Sequence, residues 1–88
     1  MTADQARAVL FEALRGVAPE IDPAGLDPRA RLRDQVDLDS MDLLEIFIQI
    51  ARISGVDVPE SDYRRLETIE AGVEYLVERG AVNRDAGA

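Results

Sequence analysis

The 88-residue chain contains no cysteine, no histidine and no lysine. Without cysteine and histidine it forms no disulfide, and it lacks the usual nucleophile–base pairs and the side chains that most often bind zinc. No apolar run approaches the roughly 20 residues that span a bilayer, and the N-terminus lacks the basic and apolar regions of a secretion signal. These absences argue against an enzyme and a membrane protein, and they predict a cytoplasmic location.

The charge and apolar content of the chain predict a folded, acidic domain. The formal net charge is −8, and 47% of the residues are hydrophobic, which is too many for an intrinsically disordered chain. The length suits one domain. An acidic surface repels nucleic acid and anionic lipid and attracts basic protein surfaces. We therefore expect a monomer whose partners are proteins, and neither nucleic acid nor membrane.

The apolar spacing predicts an all-α fold of three longer helices and one short helix, with a long loop between the first two. Capping residues, glycines and prolines mark the ends. The first predicted element is a helix over Ala3–Arg15, which Gly16 and Pro19 end. A loop over Ala18–Leu38 follows, pinned to the core by isolated apolar residues. The remaining elements are a helix from Ser40 to Gly55, a short helix over Glu60–Leu66, and a helix capped by Thr68 that ends at Gly80. We expect a domain over residues 1–80 and a disordered tail over residues 81–88.

The helix that begins at Ser40, the serine helix, carries the candidate chemistry. Asp39 is the expected N-cap, and Asp42 adds a second carboxylate to the first turn. The Ser40 hydroxyl then lies at the positive end of the helix, where a phosphate is favoured. Nothing nearby can activate that hydroxyl, because the chain has no histidine. We predict that Ser40 is a modified residue and not a catalytic one.

The serine helix is apolar around most of its circumference, which is more than one core-facing side requires. One side of it must still face water in a domain of four helices. We assign one apolar set to the core and a second set, spaced three and four residues apart, to the outer face. The core set is Leu43, Ile46, Phe47 and Ile50, and the outer set is Met41, Leu44 and Ile48.

The segment Val36–Glu45, with Asp39-Ser40-Met41-Asp42 at its centre, resembles the Asp-Ser-Leu/Met signature of acyl carrier proteins and related carrier domains. The likeness extends over roughly Ala6–Leu76. It implies a four-helix carrier fold in which Asp39 belongs to the motif and Ser40 bears a covalent 4′-phosphopantetheine. It also implies that the protein carries acyl or aminoacyl thioesters for fatty-acid, polyketide or related specialised biosynthesis. The implied partners are a phosphopantetheinyl transferase and the loading and chain-processing enzymes.

The resemblance further implies that partners dock on the serine helix, where acidic residues flank apolar ones. The residues at the matching positions are Met41, Asp42, Leu44, Glu45 and Ile48. Farther along this face the chain has Ala51 and Arg52, where many housekeeping fatty-acid carriers keep acidic residues. The departure favours a dedicated pathway.

Other interpretations compete with these assignments. The chain could be a non-covalent interaction module whose apolar serine-helix face binds a partner helix while Ser40 stays unmodified. Leu44 and Ile48 could be ordinary core residues, and the acidic residues an ordinary solvated surface. A calcium loop starting at Asp37 fails, because its sixth position is Asp42 instead of glycine and its twelfth is Ile48 instead of glutamate. We predict no metal site.

Overall fold

The computed structural model describes the backbone of residues 1–87 and the side chains of residues 1–80. Within that part of the chain every regular element is helical, so the predicted all-α, four-helix fold is confirmed. In chain order, the elements are α1 (Ala3–Val17), a 3₁₀ turn (Pro23–Gly25), α2 (Leu32–Gln35), α3 (Ser40–Ser54), a short 3₁₀ helix (Glu60–Leu66) and α4 (Ile69–Gly87). None of the described helices is long and apolar enough to cross a membrane.

Helix α1 packs against both α3 and α4, and the core lies between these three helices. The contacting side chains come from the apolar stripe of each helix and from anchors in the loops. The buried core residues are Ala6, Leu10, Ala13, Leu14, Leu32, Leu38, Ile46, Phe47, Ile50, Val56, Leu66, Ile69, Val73, Tyr75 and Leu76. Helix α4 contributes Ile69, Val73, Tyr75 and Leu76 to this core, and Val77 packs partly buried against it.

Helix α1 begins where the sequence predicts and ends two residues later. Thr2 and Gln5 form a reciprocal capping box, in which each side-chain oxygen accepts a hydrogen bond from the other residue's backbone N–H. Gly16 does not end the helix. Pro19 does, because the residue before a proline is pushed out of the helical conformation, and Ala18 has φ −135° and ψ 78°.

The connection from Ala18 to Leu38 is a pinned loop, as predicted, but it also contains the 3₁₀ turn and α2, which the sequence analysis missed. Asp27 and Gln35 bind each other within the loop: Asp27 N–H donates to Gln35 Oε1 at 2.7 Å, and Gln35 Nε2 donates to the Asp27 carbonyl at 2.8 Å. Leu32 N–H donates to the carbonyl of Glu67 at 2.9 Å. That bond ties the loop to the segment just before α4.

The predicted limits of the serine helix are confirmed, and α3 runs from Ser40 to Ser54. Gly55 ends it in the left-handed conformation at φ 77°, and its N–H donates to the Ala51 carbonyl at 2.8 Å. A side chain at this position would be strained, which explains the glycine.

Helix α4 begins after Thr68, whose hydroxyl accepts a hydrogen bond from Ala71 N–H at 3.0 Å. The predicted end at Gly80 is wrong, because α4 spans Ile69–Gly87. Gly80 instead permits a close approach: a Cβ atom there would lie 2.9 Å from Cβ of Met1. The predicted tail, residues 81–88, lies outside the residues whose side chains are described and stays a prediction, as does the domain limit at residue 80.

Asp62 and Tyr75 hold the short 3₁₀ helix against α4. The Tyr75 hydroxyl donates to Asp62 Oδ2 at 2.7 Å, and Arg79 Nη2 donates to the same oxygen at 2.8 Å. Tyr75 is only 1% exposed. Burial raises its pKa above the ordinary value of 10.0, and the hydrogen bond to Asp62 raises it further.

We expect Tyr75→Phe to lower stability by about 1 kcal/mol at neutral pH, because the hydrogen bond to Asp62 is lost. The wild-type protein should also lose stability as the pH rises above about 10, since the folded state then holds a proton that the unfolded chain releases. Tyr75→Phe should show a shallower alkaline loss. Urea unfolding between pH 7 and 11 measures both effects.

The matched control is Tyr63→Phe, because the Tyr63 hydroxyl makes no hydrogen bond within the described part of the chain. This variant should keep the wild-type alkaline loss. Equal pH profiles for wild type and Tyr75→Phe would contradict the assignment of that loss to Tyr75.

Candidate functional site

A second capping box fixes the first turn of α3. Asp42 N–H donates to Asp39 Oδ1 at 2.9 Å, and Asp39 N–H donates to Asp42 Oδ2 at 3.2 Å. Asp39 is therefore the N-cap, as predicted. The reciprocal bond from Asp42 was missed, since the familiar box has glutamate or glutamine three residues after the cap. The two carboxylates hold the backbone on both sides of Ser40.

Ser40 is exposed at the first position of α3. Its hydroxyl makes no side-chain hydrogen bond to any described residue, so it is free to react. The unpaired N–H groups of the first helical turn lie beside it and favour an incoming anion. The chain has no histidine to take the hydroxyl proton. Within the described part of the chain, the Ser40 hydroxyl is exposed and no base is hydrogen-bonded to it.

The orientation predicted for α3 is confirmed. Ile46, Phe47 and Ile50 are buried, and Leu43 is half-buried against the core. The outer set lies on the opposite side: Met41 is 70% exposed, Leu44 39% and Ile48 40%. These three residues form what we call the apolar strip. The reading of Leu44 and Ile48 as plain core residues is wrong.

Carboxylates flank the apolar strip at its N-terminal half. Asp42 caps the helix and Glu45 is exposed, with Glu45 Oε1 accepting a hydrogen bond from Gln49 Nε2 at 3.1 Å. Neither carboxylate forms a salt bridge with another described residue. Arg52 and Ile53 are exposed near the end of α3, and the exposure of Ile53 was not predicted. The charged residues beside the strip are thus acidic near its N-terminal end and basic near the end of α3.

A groove of about 910 Å³ opens beside Ser40 and runs between α2, α3 and the short 3₁₀ helix. Its floor is apolar and its rim is charged. The apolar and aromatic lining residues are Leu32, Met41, Leu43, Leu44, Phe47, Tyr63 and Leu66, and the charged ones are Arg31, Arg33, Asp34, Glu60, Arg64 and Glu67. Sequence patterns gave no signal for this groove, because its walls come from segments far apart in the chain.

No cluster of three or more potential metal ligands occurs among the described residues. The acidic residues at the start of α3 serve as caps and surface charges. The arrangement offers an accessible hydroxyl, an anion-favouring helix terminus and a neighbouring groove. It is suited to holding a covalently attached group.

Comparison with known proteins identifies a family of carrier domains and several related proteins. Residues 8–76 match the family described as "Phosphopantetheine attachment site". The chain is 30% identical to the meromycolate extension acyl carrier protein of Mycolicibacterium smegmatis over 87 residues, which are 99% of this chain and 87% of that protein. It is 29% identical to an acyl carrier protein of Rubrobacter xylanophilus over 58 residues, or 66% of this chain and 72% of that protein.

A meromycolate extension acyl carrier protein of Mycolicibacterium aurum is 31% identical over 68 residues, which are 77% of this chain and 70% of that protein. The family match covers more than half of the chain and includes the whole of α3 with its exposed serine. The helical fold is the one that the resemblance implied. The chain belongs to the acyl carrier protein family, whose domains are attachment sites for phosphopantetheine.

Proposed function

We propose that Ser40 carries 4′-phosphopantetheine and that the protein transports acyl or aminoacyl groups between biosynthetic enzymes. The observation that carries this proposal is the exposed Ser40 hydroxyl, which is unbonded within the described part of the chain and lies at the N-terminus of α3. It lies inside the segment that matches the phosphopantetheine attachment family. The attached group supplies the thiol on which a cargo is held as a thioester.

The attachment step needs a second enzyme, a phosphopantetheinyl transferase. The Ser40 oxygen attacks the phosphorus atom of coenzyme A that bears pantetheine, and a new oxygen–phosphorus bond forms. The pyrophosphate bond breaks, and adenosine 3′,5′-bisphosphate leaves. A base of the transferase takes the hydroxyl proton, because this chain offers no histidine. The protein is accordingly a substrate and carrier, and not an enzyme.

The residues around Ser40 support that role in different ways. Asp39 and Asp42 fix the first turn through their capping box, so the hydroxyl is presented at a defined place. The first-turn N–H groups stabilise the phosphodiester charge. The groove beside Ser40 gives an attached arm a surface to lie on.

We assign partner docking to the apolar strip together with Asp42 and Glu45. A partner that must release its carrier quickly draws orientation and encounter rate from charge, while a few buried side chains supply most of the affinity. The strip offers three exposed apolar side chains beside two carboxylates without salt-bridge partners in the described region. The partners are the transferase and the loading and chain-processing enzymes.

The pathway belongs to acyl-chain assembly of the fatty-acid, polyketide or related specialised kind. Two of the similar proteins are named for meromycolate extension, which supports a chain-building pathway. We place the protein in the cytoplasm as a monomer. Its net charge of −8 favours basic protein surfaces over nucleic acid and anionic membranes.

Incubation with coenzyme A and a promiscuous phosphopantetheinyl transferase should add one phosphopantetheinyl group to the wild-type protein and none to Ser40→Ala. The variant should keep its helical circular dichroism and lose no more than about 0.5 kcal/mol of stability, because Asp39 and not Ser40 caps the helix. Intact mass spectrometry with peptide mapping measures the result. Modification at Ser54 or Ser61 would contradict the assignment, and an unmodified wild type would favour the non-covalent interaction module.

Docking is tested by the rate of phosphopantetheine transfer across a salt series. Glu45→Lys should slow transfer at low salt and flatten its salt dependence, because it reverses a charge that steers the encounter. Leu44→Ala should weaken binding at every salt concentration, because it removes an exposed apolar contact.

Gln49→Ala is the control for both variants, since Gln49 binds Glu45 within the same helix and its contribution to docking should be small. A Glu45→Lys protein with the wild-type salt profile would remove Glu45 from the docking surface. A Leu44→Ala protein that transfers at the wild-type rate would do the same for Leu44.

A further inference from the structure

The charges on the exposed face of α3 change sign from one end of the face to the other. Glu45, Ile48 and Arg52 follow one another at intervals of three and four residues, so they share this face. Glu45 and Arg52 are exposed, and Ile48 between them is 40% exposed. Two helical turns separate the two charges, or about 10 Å along the helix axis. The face therefore presents an acidic group, an apolar side chain and a basic group in that order.

Both charges are available to a partner. Among the described residues, no carboxylate lies within salt-bridge distance of Arg52 and no basic group lies within that distance of Glu45. The Glu45 carboxylate accepts a hydrogen bond from Gln49 Nε2 at 3.1 Å, which holds it in place without neutralising it. At physiological salt the Debye length is about 8 Å, so the two charges are largely screened from each other. A partner meets them as two separate contacts.

Arg52 also lies in the last turn of α3, where the helix dipole favours a positive charge. Arg15 has the same place in α1: it is exposed and lies in the last turn of that helix. The two arginines therefore have the same relation to their own helices, and of the two only Arg52 lies beside the apolar strip. Arg15 is thus a matched control for any role of Arg52 in docking.

We propose that Arg52 is a specificity-determining residue of the docking surface, and that this surface fits a protein partner with a basic group opposite Glu45 and a carboxylate opposite Arg52. The proposal rests on the docking role assigned above to the apolar strip. Such a partner gains two attractive charge pairs on either side of the apolar contact. A partner that is basic along the whole length of α3 places a cation against Arg52 and is disfavoured.

The order of the charges also fixes the direction in which α3 lies on such a partner. When the helix is turned end for end on the same surface, Glu45 meets the partner's carboxylate and Arg52 meets its basic group. Both pairs are then repulsive, so the reversed arrangement is disfavoured. Ser40 lies before Glu45, at the acidic end of the face. The matching direction therefore brings Ser40 to the same end of the partner's surface in every encounter.

Two stapled helical peptides of identical composition test the proposal. Each presents two leucines to the apolar strip, with one charged residue at either end of the leucines. The first peptide has a lysine at one end and a glutamate at the other, and it carries a second lysine on its outer side. In the second peptide this outer lysine and the glutamate exchange places, so that both ends are basic. NMR titration of the α3 backbone amides at low salt gives the dissociation constants.

Wild-type protein should bind the first peptide about fivefold more tightly than the second, because one exposed charge pair changes from attraction to repulsion. Arg52→Glu should invert this preference. Arg15→Glu changes the net charge by the same amount and should keep the wild-type preference. In about 1 M salt the preference should disappear in all three proteins, because the charges are then screened.

Equal dissociation constants of the two peptides for the wild-type protein at low salt would overturn the proposal. An unchanged preference in Arg52→Glu, or an inverted one in Arg15→Glu, would do the same. Peptide-induced shifts confined to residues outside α3 would remove the docking surface and the proposal with it. Loading of Ser40 in the wild-type protein is measured separately by intact mass. A protein that is loaded but shows no peptide preference keeps its carrier function and loses only the role of Arg52.

Discussion

The contact of Ile46, Phe47 and Ile50 with the bundle core determines how α3 is oriented, and the candidate site depends on that orientation. These side chains are buried, and α3 packs on α1 through this side. Because residues three and four apart share a helix face, burial of this set turns Met41, Leu44 and Ile48 outward. Exposed apolar area costs about 25 cal/mol per Å² relative to burial. The apolar strip is thus area that contact with a partner would bury.

The long loop keeps the start of α3 in place without a long rigid element before it. Leu32 and Leu38 are buried anchors within the loop. Backbone hydrogen bonds join Leu32 to Glu67 and Pro28 to Glu70, so the loop is fastened to the beginning of α4. The capping box of Asp39 and Asp42 then fixes the first turn of α3. Ser40 is thus accessible while the backbone on either side of it is held.

The features that the sequence predicts correctly are those with a local cause. Asp39 and Thr68 cap helices through residues three positions away, and the left-handed glycine, Gly55, ends one. The faces of α3 follow from helical periodicity. Each of these signals lies within one or two helical turns, so it can be recognised from the sequence alone.

The features that were missed depend on contacts between distant segments. Gly80 was taken for a helix end, but it lies against Met1, almost the whole chain away. Helix α2 has only four residues and is fixed by the bond from Leu32 to Glu67. Arg33 and Arg64 look like ordinary charged residues in the sequence and share a groove only after folding.

The proposed docking surface and the groove beside Ser40 share two side chains. Met41 and Leu44 belong to the exposed strip of α3 and also line the groove beside Ser40. A partner that buries Leu44 against its own surface therefore changes the edge of the groove at the same moment. An attached arm lying on that edge would lose its contacts there when the partner binds. If partners dock on the strip as proposed, the shared residues would couple docking to release of the arm from the groove.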